Sequence, residues 1–409
     1  MSSDAVVVAG VGMTHFGKFP ERGLKSLSTE AVLEALADVG LEPRDVQLAV
    51  VGNAVAGLIT GQECIRGQVV LRECGIGGVP IFNVENACAS ASSAFHLAWQ
   101  QVAAGQVDVA LALGVEKLTH PDKAVSFAAF GAAVDVELLA QVKEALRAPK
   151  ADVGTRREPG GEGKSSMFME VYAAIVRAHM ERYGTTREQM AKVAVKNHAN
   201  GALNPRAQYR EVVDLDEVLA SREIAYPLTL LMCSPIGDGA AAAVVVSQKY
   251  ARTRGIRGPK VAASVVVSGN LPDSTDEMSE TRAARRAYEV AGLGPEDIDV
   301  AEVHDATAPA EILAYEDLGF CARGEGGRLV DEGITELGGR LPVNTSGGLS
   351  AKGHPVGATG LAQICEITWQ LRGECGPRQV EGARVGLTQN GGGFLGNDAA
   401  AQAVHVLVA

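Results

Sequence analysis

The chain has 409 residues, 46% hydrophobic and 21% charged, so it can bury a large core and is too long for one small domain. Its net charge of −12 argues against a nucleic-acid binder, which needs a basic face, and no apolar run reaches the roughly 18–20 residues of a membrane span. The seven cysteines (64, 74, 88, 233, 321, 365 and 375) are odd in number and form no CxxC pair, which predicts free thiols, no disulfide framework and no metal.

In chain order, MSSDAVVVAGVGMTHFG opens on a strand-and-glycine pattern without a basic leader, which points to the cytoplasm. The segment VGLEPRDVQLAVVGNA (39–54) returns without gaps as AGLGPEDIDVAEVHDA (291–306), with Gly40/Gly292, Pro43/Pro295 and Asp45/Asp297 identical. Each copy reads as a helix ending at glycine, a proline loop and a strand. With the apolar strands 109–115, 240–247 and 261–268, the repeat predicts an α/β core built twice over.

Cys88 stands between the apolar run Val79–Val84 and a small-residue helix that continues through Phe95, Leu97 and Trp99 to Gly105. At a helix start, free N–H groups and the helix dipole favour a thiolate over a thiol. A long excursion follows, loop-like around EPGGEG (158–163), amphipathic and helical from Met167 to Tyr183, and helical again from Thr186 to about Asn200. TTRE there suggests a capping box of Thr185 or Thr186 with Glu188, at imperfect spacing. Further on, Asp305 reads as the N-cap of the helix TAPAEILAYEDLG, and His354 lies in a loop bracketed by Gly353, Pro355, Gly357 and Gly360. A cysteine with a histidine to serve it is the minimum for covalent acyl chemistry.

NACASASSA (86–94) and GHPVGATG (353–360), in this order, resemble the two signatures of the thiolase family. The likeness extends through 179–205, PIGDGAAAAVVV (235–246), EVHDATAPAEILAYEDLGF (302–320) and VNTSGGLSAKGHPVGATG (343–360). It is nearest to sterol-carrier-protein-type thiolases and acetyl-CoA acetyltransferase-like relatives. The resemblance implies a duplicated five-layered αβαβα fold with an inserted loop domain: residues 1–118 and 235–258 as the N-terminal half, 119–234 as a lid over an acyl-CoA site, and 259–409 as the C-terminal half. It implies that Cys88 carries the acyl group, that His354 activates it, and that His304 stands where many thiolases have an asparagine; Asp305 is a candidate to orient that histidine. The N–H groups of Cys88 with Gly391 or Gly392 would form an oxyanion hole. Arg156, Arg157, Lys164 and Ser346 are candidates to hold coenzyme A, which enters as a thioester substrate with no permanent cofactor. A homodimer or dimer of dimers is expected, and a zinc-ribbon/OB-fold accessory protein is a candidate partner.

One departure bears on the reaction. Most thiolases place a second cysteine, the acid/base for the α-proton, in a CxG stretch where this chain has Gln389, and the sterol-carrier type can use HDCF where this chain has Ala306. Neither side chain exchanges a proton near neutral pH. Three readings stay open: a thiolase-like acyl-CoA C-acyltransferase working by Claisen condensation or thiolysis, a specialised or decarboxylating Cys-His-His condensing enzyme, and a partner-dependent aldolase subunit.

Overall fold

The computed structural model describes residues 5–138, 141, 167–272, 274, 277–396 and 398–409. Lys164, Arg156 and Arg157 lie outside them, as does EPGGEG. The elements that position the site are, in order, β1 (Val6–Met13), α1 (Leu24–Val39), β2 (Leu48–Gly52), β3 (Ile81–Val84), α2 (Ser90–Ala103) and β4 (Val109–Glu116). After the excursion helices α3 (Met167–Tyr183) and α4 (Arg187–Leu203) come β5 (Gly239–Ser247), β6 (Lys260–Ser268), α5 (Ser279–Ala291), β7 (Val300–Glu302), α6 (Ala308–Asp317), α7 (Thr359–Arg372), β8 (Val385–Leu395) and β9 (Asp398–Val408).

The strands form one nine-stranded mixed sheet in the order β3-β2-β4-β5-β1-β6-β9-β8-β7. Its two halves meet where β1 touches β6 through the pair Val7 and Lys260. Outward from that seam they repeat each other. β1 pairs antiparallel with β5, β5 antiparallel with β4, and β4 parallel with β2, which pairs parallel with β3. On the other side β6 pairs antiparallel with β9, β9 antiparallel with β8, and β8 parallel with β7, beyond which Val343 makes a parallel bridge to Ala301. The sequence repeat falls on matching parts: α1 and α5 end at Gly40 and Gly292, left-handed at φ 68° and 66°, and the 3-10 turns Pro43–Asp45 and Pro295–Asp297 lead into β2 and β7.

Three apolar cores give the layering. One packs α1 (Leu27, Val32, Leu36) on β1 and its neighbours through Val7, Leu111 and Val244. The middle core holds α2 and α7 through Phe95, Val102, Leu361 and Ile364, with Val6, Val8, Val11 and Met13 of β1 facing it. The β-bulge between Val8 and Gly10 explains why that facing set shifts from even to odd positions. The third core joins β6, β8 and β9 to α4, α5 and α6. The order is therefore helix, sheet, helix, sheet, helix, and α2 and α7 are buried between layers. Their approach is close: a Cβ on Gly360 would lie 2.0 Å from Ser92 Oγ.

Two local expectations change, and one strand lies open at an edge. The capping box on α4 is Thr186 with Gln189, because reciprocal capping needs the residue three positions on and Glu188 is one short of it. Asp305 does not cap α6, which starts at Thr307 without a side-chain cap; its carboxylate instead accepts from the N–H groups of Leu349 and Ser350 and from Asn197. The run Val79–Val84 ends in an edge strand with Phe82 50% exposed, because β3 has a neighbour only on its β2 side. Among the described residues no helix is long and apolar enough to cross a membrane.

Candidate active site

The sheet halves place two loops at matching positions, one before each buried helix. Between β3 and α2 the chain turns through Asn86, Ala87 and Cys88. Asn86 N donates to Ser90 Oγ (2.9 Å), Ser90 Oγ donates to Ala87 O (2.7 Å), and Asn86 Nδ2 donates to Ser93 Oγ (2.8 Å). Ala87 is held at φ 47°, a left-handed conformation that costs a non-glycine residue about 1–2 kcal/mol. Gly392 of β8 presses on this turn so closely that a Cβ there would lie 2.1 Å from Asn86 O. The next N–H, that of Gly393, donates to the Cys88 sulfur. Gly391, Gly392 and Gly393 all border the same cavity.

The second loop, before α7, carries His354, next to Gly353 at φ 110°. His304 follows β7 and packs edge-on against it, ring centroids 5.2 Å apart at 82°. Cys88 Sγ and one ring nitrogen of each histidine lie within 4.8 Å of one another, on the wall of a cavity of about 1380 Å³. The three expected side chains are thus brought together. Ser346 is not: it is fully buried, its N–H and hydroxyl donate to Glu302, and it is absent from the cavity wall.

The hydrogen-bond network assigns the tautomers. Thr359 Oγ1 donates its one proton to Pro355 O (3.2 Å), so its 2.7 Å contact with His354 Nδ1 requires the ring to donate. His354 Nε2 is then a bare lone pair. Asn390 Oδ1 accepts from Ser92 Oγ (3.1 Å), so Asn390 Nδ2 donates to His304 Nδ1 (2.9 Å) and the proton of His304 sits on Nε2. One histidine offers an acceptor and the other a donor. Thr359 and Asn390 drew no notice in the sequence, although Thr359 lies inside GHPVGATG.

Charge is kept low here. Burial pushes the Cys88 thiol up to about 12, with the Glu116 carboxylate adding to it, against the N–H donors that pull it down. Burial lowers His304 to about 4, and burial, His304 and Lys352 hold His354 well below the usual imidazole range. In the empty cavity all three groups are neutral, so the helix start before α2 does not deliver a resting thiolate: desolvation outweighs the dipole. Glu116, also unremarked in the sequence, is raised by burial to about 7; it accepts from Ala54 N and Val55 N on one side and Gly357 N on the other, tying the loop after β2 to the His354 loop. A thiol and two imidazoles are also a donor set that zinc takes, and they are the one such cluster among the described residues. All seven cysteines are free.

Comparison with known proteins bears on this arrangement. The thiolase N-terminal domain matches residues 6–249 and the thiolase C-terminal domain-like family matches 263–407, and the gap between them is the connection from β5 to β6. An acetyl-CoA acetyltransferase of Methanothermobacter thermautotrophicus is 42% identical over 407 residues, 98% of each chain. Human sterol carrier protein 2 is 38% identical over 94% of this chain and 69% of its own length. The benzoylsuccinyl-CoA thiolase subunit BbsB of Thauera aromatica is 38% identical over 95% of this chain and 94% of its own. A solved structure titled Ltp2-ChsH2(DUF35) aldolase superposes with a TM-score of 0.77 at 26% identity, covering 100% of this chain and 99% of the other.

Proposed function

The chain belongs to the thiolase family, and on that premise we propose that it is an acyl-CoA C-acyltransferase that carries the acyl group as a thioester on Cys88. The reaction is formation or thiolytic cleavage of a 3-ketoacyl-CoA. The observation that carries this reading is the meeting of Cys88, His304 and His354 within 4.8 Å on the cavity wall. His354 Nε2, unprotonated, takes the Cys88 proton as the sulfur attacks the acyl carbon. A thiol at about 12 facing so weak a base does not ionise beforehand, so proton transfer and attack are coupled. The oxygen that gains charge is met by backbone N–H groups of Cys88 and the 391–393 glycines, and the His304 Nε2–H donates to the carbonyl of the second substrate.

Intact-mass measurement after exposure to a panel of acyl-CoAs tests the reading. One acyl group per chain is expected in the wild type and none in Cys88→Ala. An adduct of equal stoichiometry in the variant would place the nucleophile elsewhere.

A partner-dependent aldolase is the second reading, favoured by the likeness to the Ltp2-ChsH2(DUF35) aldolase and by Gln389 and Ala306 where thiolases can carry a proton-exchanging cysteine. An aldolase would cleave its substrate without a Cys88 adduct. We further propose a homodimer formed along the open edge of β3 beside Cys88, supported by the exposed Phe82.

A further inference from the structure

Position 389 is closed to proton exchange by its own hydrogen bonds. Gln389 Oε1 accepts from His304 N (2.8 Å), and Gln389 Nε2 donates to Gln402 Oε1 (3.2 Å). Residues of α3 and α5 on the cavity wall offer two groups that no step above uses. Tyr172 of α3 borders the cavity, and its hydroxyl has no hydrogen-bond partner among the described residues. Its ring stands edge-on to Phe394, centroids 5.4 Å apart at 78°, and Phe394 is the residue after Gly393, whose N–H reaches the Cys88 sulfur. The half-buried hydroxyl is open to a hydrogen bond from a substrate in the cavity. Glu280 of α5 borders the same space; its Oε2 accepts from Gln402 Nε2 (3.1 Å) and its Oε1 is buried without a partner.

We propose that Tyr172 is the proton donor to the α-carbon, in the role that a second cysteine fills in most thiolases. This rests on the reading of Cys88 as acyl carrier. In the cleavage direction, Cys88 passes its proton to His354 and its sulfur adds to the 3-keto carbon of a 3-ketoacyl-CoA. Collapse of that alkoxide leaves the acyl–Cys88 thioester and breaks the C2–C3 bond, whose electron pair passes to the departing acyl-CoA as an enolate. The Tyr172 proton goes to C2, and the phenolate regains a proton from the His354 imidazolium through solvent. The cysteine proton thus ends on carbon, with no other reactant consumed. Burial above all holds the Tyr172 hydroxyl above the usual phenol range, so it stays protonated until the enolate forms.

Tyr172→Phe keeps the ring against Phe394 and removes only the hydroxyl. In that variant, acylation of Cys88 by acyl-CoA, followed by mass, is expected to persist, while thiolysis of a panel of alkyl and aryl 3-ketoacyl-CoAs falls by about 10²–10⁴. Glu280→Gln is expected to cleave at near the wild-type rate. Unchanged cleavage in Tyr172→Phe, equal loss of acylation and cleavage, or loss in Glu280→Gln alone would each overturn the proposal. So would a wild type that acylates but cleaves nothing. A wild type that forms no adduct sinks the Cys88 reading first and this one with it.

Discussion

The loop before α2 and the loop before α7 occupy equivalent places in the two halves of the sheet, yet they are held by different chemistry. The Cys88 turn is tied mostly by neutral groups, Asn86, Ser90 and Ser93, with one carboxylate, that of Glu85, accepting from the N–H of the strained Ala87. Beneath the His354 loop lie buried charges. Lys352, 1% exposed, pairs with Glu302 at 3.1 Å, Arg378 pairs with Glu366 at 2.9 Å, and Lys196 reaches Glu311. Duplication supplied one scaffold, and the halves then diverged in what surrounds their reactive groups. On the proposed reading, a nucleophile that must become an anion gains little from further carboxylates nearby, whereas a base loop can be fixed by ion pairs as long as their charges cancel.

The contrast is broken most severely at Lys352. Lys352→Met leaves the Glu302 carboxylate buried without its cation, and loss of one partner of a buried pair costs about 3–5 kcal/mol. Denaturant midpoints at constant m-value measure this, and a loss below about 1 kcal/mol, the scale of an exposed pair, would show that the charges do not set the rigidity of the C-terminal loop.

Acidification sharpens the comparison, because the two halves respond with opposite sign. His304 is lowered to about 4 from 6.5, so the unfolded chain binds the extra proton and stability falls as pH drops from 6.5 to 4. Glu116 is raised to about 7 from 4.5, so its burial as a neutral acid is tolerated at low pH and stability falls as pH rises from 4.5 to 7. Each shift corresponds to about 3 kcal/mol across its window. Relative to His304→Asn the wild type should gain that much between pH 4 and 6.5; relative to Glu116→Gln it should lose that much between 4.5 and 7. Parallel pH profiles for wild type and both variants would refute the assignment.

The smallest effect belongs to the Cys88 turn. Ser90→Ala removes two hydrogen bonds around Ala87 and is expected to cost about 1 kcal/mol, read by thermal melting. A loss as large as that of Lys352→Met would erase the distinction between the loops.

The duplicated core was legible because helix-ending glycines, a proline turn and a strand recur in register, and such local signals survive without tertiary context. That Cys88, His304 and His354 meet at one cavity was legible through motif resemblance. Their protonation was not, since it depends on desolvation by residues far apart in sequence. For the same reason Glu116, Thr359 and Asn390 passed unnoticed: a glutamate at a strand end and a threonine at a helix start carry no mark of what they will meet. Asp305 misled because Asp before an apolar helix reads as a cap, and only the folded loop at 349–350 shows the stronger claim on it.

The seam of the sheet bears on how the chain is made. β1 leaves the ribosome long before both its neighbours, β5 and β6, which begin only at residues 239 and 260. At about 5–20 residues per second, the ribosome leaves the strand VVVAGVGM unpaired for some tens of seconds. Throughout that interval an apolar ribbon with two open edges waits beside other nascent chains, which makes it the natural point for a holdase to grip and the first place for crowded expression to go wrong.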